Sequence, residues 1–227
     1  MSKITSISWT QSTFNPWIGC FPVSAGCINC YARAWADRYG YPGLWGAEAG
    51  RHVTSKATWR QPIKWDRAAT NGYRVFCGSL CDVFDPHPVA EETRPRLWEL
   101  IKATPRPQWM VLTKRPSNIS GMLPVDWGTG YPNVWLGVTV EHQPTAGRAD
   151  ILREIPAVKR FISYEPAIGP LILDLRGIDL VIYGGESGPH FRPDDVNWMR
   201  SIEAQCAAAG VGYHFKQRAA KRPGWKP

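Results

Sequence analysis

Six short and nearly continuous apolar runs recur beyond residue 70. They are Arg74-Val75-Phe76-Cys77, Trp109-Met110-Val111-Leu112-Thr113, Val134-Trp135-Leu136-Gly137-Val138, Arg160-Phe161-Ile162-Ser163, Leu180-Val181-Ile182-Tyr183 and Gly212-Tyr213-His214-Phe215. A strand covered on both faces reads this way, whereas a half-solvated strand alternates apolar and polar positions. Helical periods lie between the runs. Val196, Met199, Ile202, Cys206 and Ala209 come after Pro193-Asp194-Asp195 at helical spacing, and Gly210 stops them. A second helix is expected over about 89–103, with Leu97, Leu100 and Ile101 on one face and a kink at Pro95. A weaker third covers about 145–154. Strand and helix in alternation imply crossover connections and parallel pairing, so the expected class is α/β, as a barrel or an open sheet.

The residues at the end of each run point to function. Gly78-Ser79-Leu80-Cys81-Asp82, Thr113-Lys114-Arg115, Thr139-Val140-Glu141, Ser163-Tyr164-Glu165-Pro166, Gly184-Gly185-Glu186-Ser187-Gly188 and Lys216-Gln217 end the six runs, five of them with an acid or base directly after the apolar stretch. Parallel α/β folds bind ligands at the carboxyl ends of their strands. Ser79, Asp82, Lys114, Glu141, Glu165, Gly184, Gly185, Glu186 and Lys216 are therefore the candidate cofactor or substrate residues of a mouth. No residue is singled out as catalytic.

Composition narrows the classes. At 227 residues, 44% hydrophobic and 20% charged, the chain is long enough to bury a core and is not a disordered one. It has no apolar run of about 18 residues, so no membrane span is expected. Met1 to Trp9 contain no apolar leader core, so a cytoplasmic protein with reduced thiols is expected. The net charge of +8 is uneven. Residues 33–74 hold eight Lys or Arg against three Asp or Glu, and the tail from Lys216 holds five Lys or Arg and no acid, leaving about −2 for the rest. Arg51, Lys56, Arg60 and Lys64 in the first stretch, and Arg218, Lys221 and Arg222 in the basic tail 214–227, are candidate nucleic-acid contacts. Trp35, Trp45, Trp59, Trp65 and Trp225 are interleaved with them, and indoles stack on unpaired bases.

The sharpest motif lies in the loop 15–32, where Cys20, Cys27 and Cys30 have C-x6-C-x2-C spacing. The short gap turns two thiolates onto one centre, and the long Gly-, Pro- and Ser-containing gap can wrap around it. Three soft ligands suit an iron–sulfur cluster or zinc, although structural zinc usually takes four. Cys81 is the one further thiol that can be named as a fourth ligand. Cys77 and Cys206 sit in apolar patterns and read as packing. His52, His87, His142, His190 and His214 form no metal-ligand spacing, and Asp82, Asp85 and His87 make a weaker metal or acid–base candidate.

With these residues the chain resembles the phage-encoded three-cysteine-motif proteins, which are similar to radical S-adenosylmethionine (SAM) enzymes. The resemblance runs through Asn15-Pro16-Trp17 to Cys30-Tyr31-Ala32, Gly78-Ser79 with Asp82, Leu112 to Pro116, Trp135-Leu136-Gly137-Val138 with Glu141, Glu165-Pro166, Gly184 to Gly188, and Phe215-Lys216-Gln217. It implies one domain over 1–227, a partial (βα) barrel of about six or seven parallel strands, with the cysteine-rich loop at its mouth. It also implies a [4Fe-4S] cluster on Cys20, Cys27 and Cys30, SAM as a second cofactor, kinship with enzymes acting on DNA, and a place in the host cytoplasm. Radical SAM enzymes mostly show C-x3-C-x2-C, an aromatic residue before the third cysteine and an early Gly-Gly-Glu. Here the first gap is six, Asn29 precedes Cys30, and Gly184-Gly185-Glu186 comes late. A non-catalytic iron–sulfur phage protein that binds DNA or a host transcription component is the alternative.

Overall fold

The computed structural model describes residues 5–222. Its strands are β1 (Ser12–Phe14), β2 (Trp17–Ile18), β3 (His52–Val53), β4 (Arg74–Cys77), β5 (Gln108–Thr113), β6 (Val134–Thr139), β7 (Lys159–Ala167), β8 (Leu180–Gly185) and β9 (Gly212–Gln217). The helices are α1 (Tyr31–Arg38), α2 (Lys56–Trp59), α3 (Gln61–Ala68), α4 (Pro88–Ala103), α5 (Ile119–Met122), α6 (Gly147–Glu154) and α7 (Val196–Ala209). Seven strands form one parallel sheet in the order β1-β4-β5-β6-β7-β8-β9, curled into a half-barrel, and β2 and β3 make a small antiparallel ribbon beside it.

All six apolar runs are strands. No pattern along the chain announces the first strand of the sheet, β1. Its three residues are too few to show a period, and they are held by parallel pairing of Ser12, Thr13 and Phe14 with Val75, Phe76 and Cys77. The helix ends obey capping chemistry. Asp195 accepts a hydrogen bond from the Asn197 N–H at 2.8 Å to start α7, and Gly210 ends it at φ 66°, where a Cβ would be strained. Pro88 opens α4, and Pro95 sits inside that helix without ending it.

Alternate residues of each strand enter two different cores, as the pleat requires. Val75, Cys77, Trp109, Val111, Ile162, Val181 and Tyr183 pack outward against Leu97 and Ile101 of α4, Leu152 of α6, and Ile202 and Cys206 of α7. Phe76, Met110, Phe161, Leu180 and Ile182 face the inside of the curl. There Trp9, from the segment before β1, closes the base of the half-barrel, its ring 4.6 Å from Phe76 and 6.2 Å from Phe161.

Gly137 is what lets Phe161 occupy the interior, because a Cβ on Gly137 would overlap the Phe161 ring. Gly137→Ala should therefore cost about 1–3 kcal/mol by overpacking, measured as a lower urea midpoint at unchanged slope. A midpoint equal to wild type would show that the ring has room to move.

Most tryptophans belong to these cores. Trp59 and Trp65, expected beside nucleic acid, are instead buried in the outward-facing core, where Trp59 meets Phe14 edge-on at 5.4 Å. Their short helices carry no periodic signal long enough to reveal this. Trp225 lies outside the described residues.

Candidate functional site at the half-barrel mouth

A cavity of about 180 Å³ opens at the carboxyl ends of the strands. That exceeds the ~150 Å³ of an engineered apolar cavity able to hold benzene. Cys20, Cys27, Cys30 and Cys81 all line it, together with Ser79, Asp82, Lys114, Glu165, Gly185, Glu186 and Lys216. Glu141 and Gly184, the other two candidate residues, stand behind its wall.

Each cysteine reaches the cavity by a different local device. Gly19, at φ +120°, turns the chain out of β2, and its N–H donates to the Leu80 carbonyl at 3.1 Å. A Cβ there would crowd the Leu44 carbonyl and the Arg51 side chain. Cys20 comes next, its own N–H donating to the Leu44 carbonyl at 3.2 Å. Cys27 closes a single 3₁₀ turn, Ala25–Cys27, and Cys30 is the residue that caps α1. Gly26 lies so close over Glu141 that a Cβ would collide with the carboxylate, while Ser24 donates to the same carboxylate at 2.7 Å. Asn15 ties the other wall in place by donating to Ser79 Oγ at 2.9 Å and accepting from the Leu80 N–H at 2.7 Å.

All six cysteines are unpaired. Burial pushes the Cys20 thiol up to about 12, helped by Asp82 and opposed by Arg115. Burial also raises Cys30, and raises Cys81 well above the ordinary thiol range. Arg115 donates to Cys20 Sγ at 3.6 Å, and its guanidinium lies 4.1 Å from the centre of the Phe21 ring. Among the described residues, no three His, Cys, Asp or Glu side chains are gathered closely enough to hold a metal ion as they stand.

The acids of the mouth are each engaged by cations of this chain. Asp82 pairs with Arg115 at 2.8 Å and accepts from Thr113 Oγ1 at 2.7 Å and the Lys114 N–H at 3.0 Å. Fully buried Glu141 is clasped by Lys114 at 3.0 Å and Arg148 at 3.2 Å. Glu165, in a stretch where β7 leaves its ladder and the Glu165–Pro166 peptide is cis, pairs with Lys216 at 2.5 Å. Gly184 leaves the room that the Glu165 carboxylate fills. Glu186 is bound by Arg192, and accepts from Asn29 Nδ2 at 2.9 Å. Sequence reasoning misses Arg148 and Arg192. Both lie outside the strand ends, and only folding brings them to their carboxylates.

Burial alone would raise Glu141 and Glu186, but Lys114 and Arg148 hold the first below its ordinary 4.5, and hydrogen bonds from Arg192 and Asn29 do the same for the second. Carboxyls depressed in the folded state supply stability that is complete above the unfolded value and is lost as pH falls through the folded ones. Near-ultraviolet circular dichroism should therefore show unfolding setting in below about pH 4.5, and Glu141→Gln should flatten that dependence while lowering stability at neutral pH. An unchanged acid limb in that variant would remove Glu141 from the account.

Two sequence expectations are corrected. Arg51 is not a surface cation: its side chain is inaccessible and its Nε lies 2.7 Å from Asp85 Oδ2, a buried pair that no local pattern announces. For the same reason Asp82, Asp85 and His87 do not form a metal or acid–base cluster. Asp85 is taken by Arg51, Asp82 by Arg115, and His87 caps α4 by accepting from the Val89 N–H at 3.2 Å. Lys56, Arg60 and Lys64 are exposed and have no acidic partner among the described residues. Arg218 pairs with Asp194 at 2.8 Å, Lys221 and Arg222 are exposed, and residues 223–227 of the basic tail lie outside the described residues. Among the described residues no helix is long and apolar enough to cross a membrane.

The fold and site together define a class: a curled parallel half-barrel with a cysteine-bearing loop over the carboxyl ends of its strands. The chain belongs to the family described as protein of unknown function, DUF5131, which matches residues 4–224. Comparison with curated proteins and with solved structures gives no match.

Proposed function

We propose that the chain is an iron–sulfur protein resembling radical SAM enzymes, that Cys20, Cys27 and Cys30 hold a [4Fe-4S] cluster, and that it acts on or binds nucleic acid. One observation carries the first part: three thiols of a single loop line one cavity at the ligand-binding end of a parallel half-barrel. The donor set fits such a group. It is soft, unpaired and partly shielded, and the Arg115 guanidinium beside Cys20 Sγ would offset the negative charge of thiolates. Bound there, the cluster with SAM would supply one-electron chemistry. This chain's residues would do the rest: Phe21 and Trp45 exclude water, while Lys114, Glu165 and Lys216 present charge toward the same space.

Anaerobic reconstitution and then iron and sulfide counts test the cluster. Incubation of the dithionite-reduced protein with SAM tests the chemistry, and 5′-deoxyadenosine is the expected product. A second reading has its own support, since Asp82, Glu141, Glu165 and Glu186 are all ion-paired within the chain. Such a mouth suits a non-catalytic iron–sulfur phage protein that binds DNA or a host transcription component. A full cluster, with neither 5′-deoxyadenosine nor any change in its paramagnetic resonance on adding SAM, selects this reading over the first. A protein that takes up no iron excludes both.

A further inference from the structure

Helix α1 is built the wrong way round for an ordinary surface helix. It buries two small residues, Ala32 and Ala36, and exposes its aromatics: Tyr31 is 47%, Trp35 38% and Tyr39 57% accessible. These three stand at i, i+4 and i+8, which places them on one face, about 6 Å apart along the axis. The row continues beyond the helix. Trp35 lies 4.8 Å from Tyr39 and stacks on Tyr41 at 6.3 Å, and Tyr41 meets the exposed His52 at 4.9 Å. The inner end of the row is the cavity itself, because Tyr31 lines it and donates to the Ser79 carbonyl at 2.8 Å. Exposed aromatic area gathered in this way marks a binding surface.

Charge says what covers it. Residues 33–74 carry a net +5, of which Arg51 is buried against Asp85 and the rest is left for the surface. Arg38 lies 5.8 Å from the Tyr39 ring centre, and Arg38, Lys56, Arg60 and Lys64 are exposed without an acidic partner among the described residues. Only Arg33 on this helix is countered, by Asp37 at 3.9 Å. Aromatic faces in a row, with the exposed Arg38 against the Tyr39 ring, complement a chain of bases and phosphates. A duplex keeps its bases stacked on one another, whereas a single strand can offer them to the rings.

We infer that Trp35, Tyr39, Tyr41 and His52 form a stacking platform that leads single-stranded nucleic acid to the half-barrel mouth at Tyr31. This deepens the nucleic-acid part of the proposed function and rests on it.

The test uses the full chain and a fluorescent oligothymidylate of about 12 nucleotides, within the roughly 4–16-nucleotide reach of a stacking groove. Anisotropy should show Trp35→Ala combined with Tyr39→Ala weakening binding by on the order of ten-fold or more, as the loss of stacked bases predicts. Trp35→Phe should keep most of the affinity. The slope of log affinity against log salt should stay as in wild type for the aromatic variants and become shallower for Arg38→Ala, which removes the cation beside the Tyr39 ring. Both aromatic positions are exposed, so the thermal midpoint should hold. Wild-type affinity in the double aromatic variant would overturn the platform and leave the nucleic-acid reading standing. Absence of binding by the wild-type chain to single strand and duplex alike would remove that reading together with the platform. A dimer that the double variant abolishes, with no oligonucleotide bound, would show that a second copy covers the patch and would equally overturn the inference.

Discussion

Cys27→Ala should fold and yet retain almost none of the iron that the wild-type chain takes up on reconstitution. Cys27 is half-buried at the end of a 3₁₀ turn, and its Sγ makes one weak contact, with Ser24 Oγ at 3.8 Å. The turn itself is closed by backbone, through the Cys27 N–H to the Ser24 carbonyl at 3.0 Å. Truncation therefore removes a ligand while taking little from the packing. The loop would be left with Cys20 and Cys30 alone, and two soft donors hold a cluster poorly. The control is Cys206→Ala. That thiol is fully buried among the outward-facing core residues, so its loss should lower stability while leaving the iron count at the wild-type level. Full iron stoichiometry in Cys27→Ala would mean that the ligands are assigned wrongly.

Asp85→Ala should cost about 3–5 kcal/mol, because it strands a guanidinium inside the protein. The Arg51 and Asp85 side chains are both inaccessible, with Nε and Oδ2 at 2.7 Å. Arg51 Nη1 donates to the Ala49 carbonyl at 2.6 Å and the Gly50 carbonyl at 3.1 Å, and Nη2 has no partner among the described residues. On the other side, the Asp85 carbonyl accepts from Arg94 Nη2 at 2.5 Å, and its Oδ1 accepts from the His87 N–H at 3.2 Å. The pair thus ties the segment that carries Leu44 and Trp45, against which Cys20 is set, to the loop after β4 and to the start of α4. Urea unfolding would measure the loss. Arg51→Met combined with Asp85→Leu should recover much of it, since an apolar pair leaves no stranded charge. A single Asp85→Ala chain within about 1 kcal/mol of wild type would show that water reaches Arg51.

These two variants also separate what is readable along the chain from what is not. The cysteine loop is local: three residues within eleven positions, legible from spacing alone. Strands β4 to β8 are legible for a similar reason, because burial on both faces writes an apolar run into neighbouring residues, whereas β9, the half-exposed edge strand, shows a run that its burial does not require. The caps of α7 are local too. In contrast, α1 carries no apolar stripe to find, as the face it buries is Ala32 and Ala36 and its aromatics point outward. The burial of Arg51 depends on a carboxylate 34 positions away, and that of Glu141 partly on Lys114, 27 positions away.

By itself, then, the sequence determined the alternation of strand and helix, the parallel sheet, the strand ends that frame the cavity, and the three thiols that line it. Each of these stems from short-range periodicity or spacing. The tertiary structure decided which charges are free. It buried Arg51, paired the mouth acids with Arg115, Lys114, Lys216, Arg148 and Arg192, and drew Trp59 and Trp65 into the core while leaving Trp35 outside. The reason is physical: an ion pair or a stacked ring needs a partner within a few ångströms, and for these residues only the folded chain supplies one.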